Sequence, residues 1–407
     1  MRELWGNVPF RVYFFMQFIL ALGGQFLPVA LSWTILHQYR NAELNGLVLS
    51  LLVFPRLILL PVANVILRWF SPRQQIVGLF ASLALITSAW AVGQYLFPQA
   101  PVWMLIAGTL LIGAIGALSL PMSYSVLPIV AGTGQLERAN AVYQVGIQAS
   151  TALGPLLSGA ILLLASLAQV LGIFAMLLVA ATLWGYVQIR VEPEIASTPV
   201  AFTLWTRSVV PVLWMVCASA FINLFLYGPL QVGMSTWIDL HHWPVTLLGV
   251  VLAAFGAGGA LGASLQGIFL GLRSPFVTWS PTVILALSWL VLYPVLDVAW
   301  ALPLVIFVAG IMTGWVTTIM LRAIYRLIPS SALTSVFSVI FLGSALGQVV
   351  SLDSTGVVLS HTGIPQLMAG AGGGLLCVGI AAFVLGVRMD QRELKRKFQD
   401  GVPGRAQ

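Results

Sequence analysis

Apolar stretches of membrane-spanning length follow one another along this chain with little between them, and they leave few alternatives for its fold. A helix needs about 20 predominantly apolar residues to cross the hydrocarbon core of a bilayer. Twelve such stretches can be placed, at approximately 10–35, 46–67, 74–97, 102–126, 139–165, 168–189, 208–232, 246–270, 278–297, 301–324, 334–360 and 364–388. Charged residues make up only 7% of the 407, too few to clothe a water-soluble domain of this size. The predicted fold class is all-α integral membrane, with 12 transmembrane helices. Short connections such as Pro98–Pro101 make neighbouring helices antiparallel. The first stretch starts near Phe10 without a small-residue cleavage site, so it reads as a retained anchor rather than a signal peptide.

The basic residues map the two sides of the membrane. Of 18 Lys and Arg residues, sixteen lie in the termini and every second gap, from Arg2 and Arg11 through to Lys397 and Arg405. Arg40 stands alone on the opposite side, and Arg56 lies inside a stretch. The positive-inside rule then places both termini in the cytoplasm. These residues are spread over seven segments, which argues against a nucleic-acid partner. The lipid bilayer is the partner they imply.

The longest internal connection, 191–207, contains Glu192, Pro193, Glu194, Ser197 and Pro199. It divides the chain into an N-terminal six-helix bundle (1–190) and a C-terminal one (208–388), followed by a basic tail (389–407). Leu127-Pro128 followed by Leu153-Gly154 is echoed by Ile328-Pro329 followed by Leu346-Gly347. Two related halves are a common transporter plan, with the substrate site between them near the midplane. Cys217 and Cys377 fall inside stretches and are expected to be buried packing residues. His37, His241, His242 and His361 all fall on the predicted outer side, as interfacial polar groups rather than metal ligands.

Further motifs narrow the family. Phe10-Arg11 is followed by Gln17 and Gly23-Gly24. Leu127-Pro128 precedes Arg138-Ala139-Asn140-Ala141, and the fifth stretch carries Gly154-Pro155-Leu156-Leu157-Ser158-Gly159. On these residues the chain resembles the major facilitator superfamily of transporters over essentially its whole length. Within it, the chain resembles the enterobactin-exporter and macrolide-efflux branch of bacterial exporters. The resemblance implies two pseudo-symmetric bundles in a bacterial inner membrane, and it associates Gly154, Pro155, Ser158 and Gly159 with export. It also exposes a departure. The superfamily joins its second and third helices by Gly, three residues, Asp-Arg and further basic residues. Here Asn64 replaces the Gly, Arg68 the Asp and Trp69 the Arg, with Arg73 kept. The Asp is implied in a charge–dipole latch at the cytoplasmic gate, and an Arg cannot accept in its place. Arg68 and Arg73 are the candidate gating residues that remain.

Arg56, beside Pro55, lies near the bilayer centre. Exposing Arg to lipid there costs at least about 2.5–3.5 kcal/mol on insertion scales, so it should face protein or water. Asp353 is the candidate intramembrane acid, about 10 Å of helix from the outer end. The superfamily fold brings the second and eleventh helices together, so Arg56 and Asp353 are expected to pair when the cavity faces inward. Asp353 is also the candidate proton carrier, since burial raises a carboxyl pKa and pairing lowers it. Gln25 stands where relatives often have an acid.

On the fifth stretch, Gln144, Gln148, Thr151, Pro155 and Ser158 share one stripe at spacings of four, three, four and three. With Gln17, Gln25, Tyr124, Asn223 and Gln231 they predict a sparsely polar cavity, suited to an amphipathic organic molecule. Each residue could equally serve hydrogen bonding between helices. The sequence has no metalloprotease helix motif, phosphate-binding glycine loop or nucleophile elbow. No enzyme activity, cofactor or metal is expected. The reading is a monomeric secondary active exporter, an antiporter driven by protons or another ion, for a drug or siderophore-like metabolite. Two alternatives stand beside it: a lipid or lysolipid flippase, marked by an apolar lateral opening, and a non-transporting sensor or assembly factor, compatible with the eroded motif between the second and third stretches.

Overall fold

The computed structural model describes residues 2–67, 69–97, 101–132, 135–189, 209–268, 275–295, 297–327 and 333–399. All regular structure among these is helical, as a bilayer requires of backbone groups that have no water to bond. A short lead-in, α1 (Arg2–Gly6), precedes α2 (Val8–Tyr39). Next come α3 (Ala42–Val53), α4 (Pro55–Leu67), α5 (Pro72–Leu96), α6 (Val102–Ala117), α7 (Ser119–Ala131), α8 (Leu136–Ile161) and α9 (Leu167–Gln188). After the linker follow α10 (Val209–Gly228), a π-helical turn (Pro229–Gly233), α11 (Met234–Leu240), α12 (Val245–Ile268), α13 (Pro275–Val295), α14 (Ala301–Leu327), α15 (Leu333–His361) and α16 (Ile364–Gln399).

Ten helical segments among the described residues are long and apolar enough to cross a membrane. Of the two other expected stretches, α8 opens on the polar run that includes Arg138, Gln144 and Gln148, and in α13 (Pro275–Val295) the side chains described are those of 280–291, an apolar segment. Three other expected spans are interrupted. Pro55 follows the break between α3 and α4, and Pro229 opens the π-helical turn, because proline removes a backbone donor and crowds the preceding turn. The third break separates α6 from α7 at Leu118. Several helix starts are written in the sequence as caps. Asn41 accepts from Leu44 N at 2.9 Å, and Ser71 with Gln74 and Ser166 with Gln169 form capping boxes.

The helices pack in two groups. In the first, α2 contacts α8 and α9, and α5 contacts α9 and α6. In the second, α10 packs on α15, α13 on α16, and α12 on α14. The last pair approaches closely, with Gly258 against Phe307 O and Gly314 against Gly259 O. Contacts between the groups run from α3 and α4 to α15, α8 to α12, and α2 to α11 and α12.

These contacts concentrate at the end of the molecule that carries the turns at 40–41, 162–166, 241–244 and 362–363. There the buried clusters cross between groups: Val29 packs with Met234 and Ile238, and Val232, Ala345 and Leu352 pack with Leu31, Val48 and Leu49. At the opposite end, among the described residues, each buried cluster stays within one group. The cysteines differ from expectation. Cys217 and Cys377 are free and exposed, on faces of α10 and α16 that no neighbouring helix covers. A thiol is apolar enough to be placed on such a face.

Candidate gate and substrate site

A dry polar cluster lies within the sealed end. Ser32, Asn45 and Ser235 are 1%, 0% and 0% exposed, and they come from α2, α3 and α11. Ser32 Oγ donates to Ser235 Oγ at 2.7 Å. Asn45 Nδ2 donates to Ser32 Oγ at 2.8 Å and to Ser235 Oγ at 3.3 Å. Ser235 in turn donates to Val232 O at 3.0 Å, on the π-helical turn. Three side chains thus join the two helix groups where water is excluded, so unmaking the cluster leaves buried donors without partners. The sequence reading missed it, because a serine inside an apolar stretch gives no local sign of its partner. Asn45 was the available signal: an amide in an apolar stretch requires a hydrogen-bonding partner.

The glycine–proline motif of α8 lies on the seam between the groups and has two working faces. On one, Ser158 Oγ donates to Phe26 O at 3.0 Å, and a Cβ on Gly154 would lie 2.7 Å from Gln25 Cβ. That face fastens α8 to α2. On the other, a Cβ on Gly249 of α12 would lie 2.6 Å from Pro155 O, and one on Gly159 would lie 3.0 Å from Val245 O. Backbone meets backbone across the groups, which only glycine permits. Gln25 is half-buried at this contact.

Arg56 and Asp353 form no salt bridge in this structure, and both are exposed. The expected pair fails for a rotational reason. Gly46 of α3 abuts Leu352 O, and a Cβ on Gly356 would lie 2.7 Å from Ala42 O. Ser351 faces α10 instead, accepting from Gly228 N at 2.7 Å and donating to Leu224 O at 2.6 Å. Asp353 lies past both contacts, on an exposed strip with Leu346, Val350 and Val357. Arg56 turns the other way. On α4, the exposed Ile58, Val62 and Val65 form one apolar stripe, and Arg56 points at least about 120° from each by helical geometry. Its neighbour Leu57 and, from α10, Tyr227 both pack against the cluster that bridges the two groups.

The remaining sequence candidates separate. Arg73 Nη2 donates to Tyr186 O at 2.6 Å, and its guanidinium sits 4.7 Å from the Tyr186 ring. It therefore staples α5 to α9 within the first group. Arg68 lies outside the described residues, as does the side chain of Tyr124. Gln17 is buried, with Nε2 making no hydrogen bond, beside Tyr13, whose hydroxyl donates to Ser123 O at 3.3 Å. Gln144 and Gln148 are exposed, and Gln231 is half-buried in the π-helical turn. Asn223 is half-buried and belongs to a network. Its Nδ2 donates to Ser219 O and Ser344 Oγ, both at 2.9 Å, and its Oδ1 accepts from Gln348 Nε2 at 3.1 Å. Gln348 and Ser344 were absent from the sequence reading. At the sealed end His241 lies between Trp237 and Trp243, ring centroids 4.1 and 4.8 Å away, and 3.5 Å from Asp297. Among the described residues no group of three or more His, Cys, Asp or Glu side chains could hold a metal.

Comparisons with known proteins agree with this architecture. The fold is similar to that of a bacterial homologue of the iron transporter ferroportin in its inward-facing state, with TM-score 0.73 and 10% identity over 94% of this chain and 98% of that one. It is also similar to a mutant of the nucleoside transporter NupG, with TM-score 0.69 and 14% identity over 93% of this chain and all of that one. At such identities the likeness carries the fold alone. In sequence, the Staphyloferrin A transporter of Staphylococcus aureus (strain NCTC 8325 / PS 47) is 26% identical over 152 residues, 37% of this chain and 38% of that protein. The matched region thus spans well under half the length of that relative. Residues 13–352 match the family model described as Major Facilitator Superfamily. The chain belongs to the Major Facilitator Superfamily, and is a multi-pass membrane transporter rather than an enzyme.

Proposed function

We propose that the protein is a secondary active exporter of a small amphipathic organic molecule bearing an anionic group, working by alternating access. The observation that carries this reading is the one-ended seal: polar and backbone contacts join the helix groups at one end, while at the other the buried clusters of described residues remain separate. In this reading the interrupted helices complete twelve spans in two six-helix bundles, 1–190 and 208–388, joined by 191–207 and followed by the tail 389–407. The basic residues put both termini and the parted end in the cytoplasm. The structure then represents an inward-facing state, and the serine–asparagine cluster closes the outer gate.

The anionic lean rests on Arg56, which is exposed without a salt bridge to Asp353. The local similarity to the Staphyloferrin A transporter supports a siderophore-like metabolite ahead of other drugs. Export follows the α8 motif. Its Pro155 and Gly159 lie on a seam that must part for the cavity to open outward. Coupling is to protons, with Asp353 as carrier and the protein acting as a monomer in the bacterial inner membrane.

Purified protein in proteoliposomes with an imposed pH gradient tests this reading. Uptake of a labelled organic anion into inverted vesicles should accelerate when the lumen is acidic, because protons leaving the lumen drive the anion in. Transport indifferent to the gradient would remove proton coupling. Absence of transport for any organic anion, with the protein correctly inserted, would remove the exporter reading.

A further inference from the structure

The side chains around Arg56 define more than a stray charge. Arg56 lies fourteen residues beyond the start of α3 at Ala42, while Tyr227 and Gln348 each lie thirteen residues from the sealed-end terminus of their spans, at Leu240 and His361. At 1.5 Å per residue all three sit about 20 Å from the sealed end, at one depth. Asn223 is one helical turn from Tyr227 on the same face of α10. Asn223 reaches Ser344 and Gln348 of α15 from beside the stripe Val216, Ala220, Leu224 and Gly228 that packs on that helix. Ser344 and Gln348 occupy the face of α15 between its contacts with α10 and with α3.

The orientation of the amides follows from one fixed point. Ser219 O is a backbone carbonyl and can only accept, so the Asn223 group 2.9 Å from it must be the NH2. Asn223 Oδ1 therefore faces Gln348, which must present its own NH2 there, at 3.1 Å. Among the described residues, Gln348 Oε1 is left as an uncommitted acceptor. The site combines one free guanidinium, one phenol and one fixed carbonyl acceptor, with no carboxylate among them.

We propose that Arg56, Tyr227 and the Asn223–Gln348–Ser344 network form a binding site for an organic carboxylate that carries a hydroxyl or amide N–H. Arg56 takes the carboxylate and Gln348 Oε1 accepts from the neighbouring donor. The hydrogen-bonded network holds Gln348 in that orientation before the ligand arrives. The proposal rests on the transporter reading only for its biological purpose, since binding is measured without transport.

The test uses the full chain in phosphatidylcholine nanodiscs, with equilibrium binding of 3-hydroxybenzoate and benzoate, two carboxylates that differ by one hydroxyl. Wild type should bind the hydroxylated acid roughly three- to tenfold more tightly, the worth of one hydrogen bond to a fixed partner. Arg56→Gln should weaken both acids at least about tenfold, because a charge-assisted contact is lost, and Arg56→Lys should recover part of the loss. Gln348→Leu should bring the affinity ratio of the two acids to about one, read as the ratio so that a general loss of affinity does not count. Equal binding by wild type and Arg56→Gln would overturn the proposal, as would no binding by a wild type that inserts and unfolds cooperatively. So would loss of 3-hydroxybenzoate binding in phosphatidylglycerol nanodiscs, which would assign the site to an anionic lipid headgroup. If these acids fail to bind while vesicle transport of another substrate persists, the exporter reading survives and only this assignment falls.

Discussion

Removing one hydroxyl from the cluster at the sealed end should tilt the balance between the two access states. Ser235→Ala deletes the hydrogen bonds from Ser32 at 2.7 Å and from Asn45 at 3.3 Å, the connections of this cluster that cross between the helix groups. The Asn45–Ser32 bond at 2.8 Å stays within the first group and is kept. Hydrogen bonds between helices in membrane proteins average about 0.6 kcal/mol each, so two come to about 1.2 kcal/mol. At 1.4 kcal/mol per tenfold, the ratio of open to sealed at this end should rise about sevenfold. Spin labels at Gln38 and His242, exposed positions on opposite groups at that end, would report the two populations as distances by pulsed dipolar spectroscopy. Thr34→Ala is the matched control. It loses a buried hydroxyl bonded to Ala30 O at 2.7 Å within one helix, and should leave the distance distribution alone. The double variant Ser32→Ala with Ser235→Ala should add little to Ser235→Ala alone, because they share one contact. Unchanged distances in Ser235→Ala, or an equal shift in Thr34→Ala, would refute the cluster as a gate.

Other perturbations separate packing from gating. Gly249→Val places side-chain carbon against Pro155 O, already 2.6 Å from a Cβ. It should open the same end and abolish transport, whereas Gly24→Ala, with nothing within 4 Å of its Cβ, should be silent in both assays. Arg73→Ala should lower thermal stability in detergent by about 1 kcal/mol through the lost contact with Tyr186, with transport retained; a large transport loss at unchanged stability would restore a gating role. Asp353→Asn should keep counterflow of labelled substrate but lose acceleration by a pH gradient. A variant that still responds to the gradient would take Asp353 out of the coupling path.

Individual residues show how far the chain could be read before its structure. The helices were legible because crossing a bilayer depends on the length and composition of a segment, both local properties. The helices capped by Asn41, Ser71 and Ser166 begin one to four residues before the expected 46, 74 and 168, because the cap bonds are set by side chains outside the apolar stretch. The Gly154–Gly159 motif was legible as a close-packing element, but not that its two faces serve different neighbours. Arg56 stood out because a guanidinium inside an apolar stretch is costly, yet its assigned partner was wrong in this state. Depth can be counted along a helix, whereas the direction of a side chain depends on how that helix is rotated against its neighbours. Asp353 and Leu352 differ by one residue and so by about 100°; one meets α3 and the other does not.

The sequence by itself determined which segments are long and apolar enough to cross a membrane and roughly where they begin. Those outcomes follow from transfer free energies and capping bonds acting within a few residues. Only the tertiary structure decided that Ser32 and Asn45 meet Ser235, separated from it by 203 and 190 positions, and that Arg56 makes no salt bridge with Asp353. Such meetings depend on the rotation and crossing of packed helices, which glycine contacts such as Gly46 against Leu352 and Gly249 against Pro155 set across the whole fold.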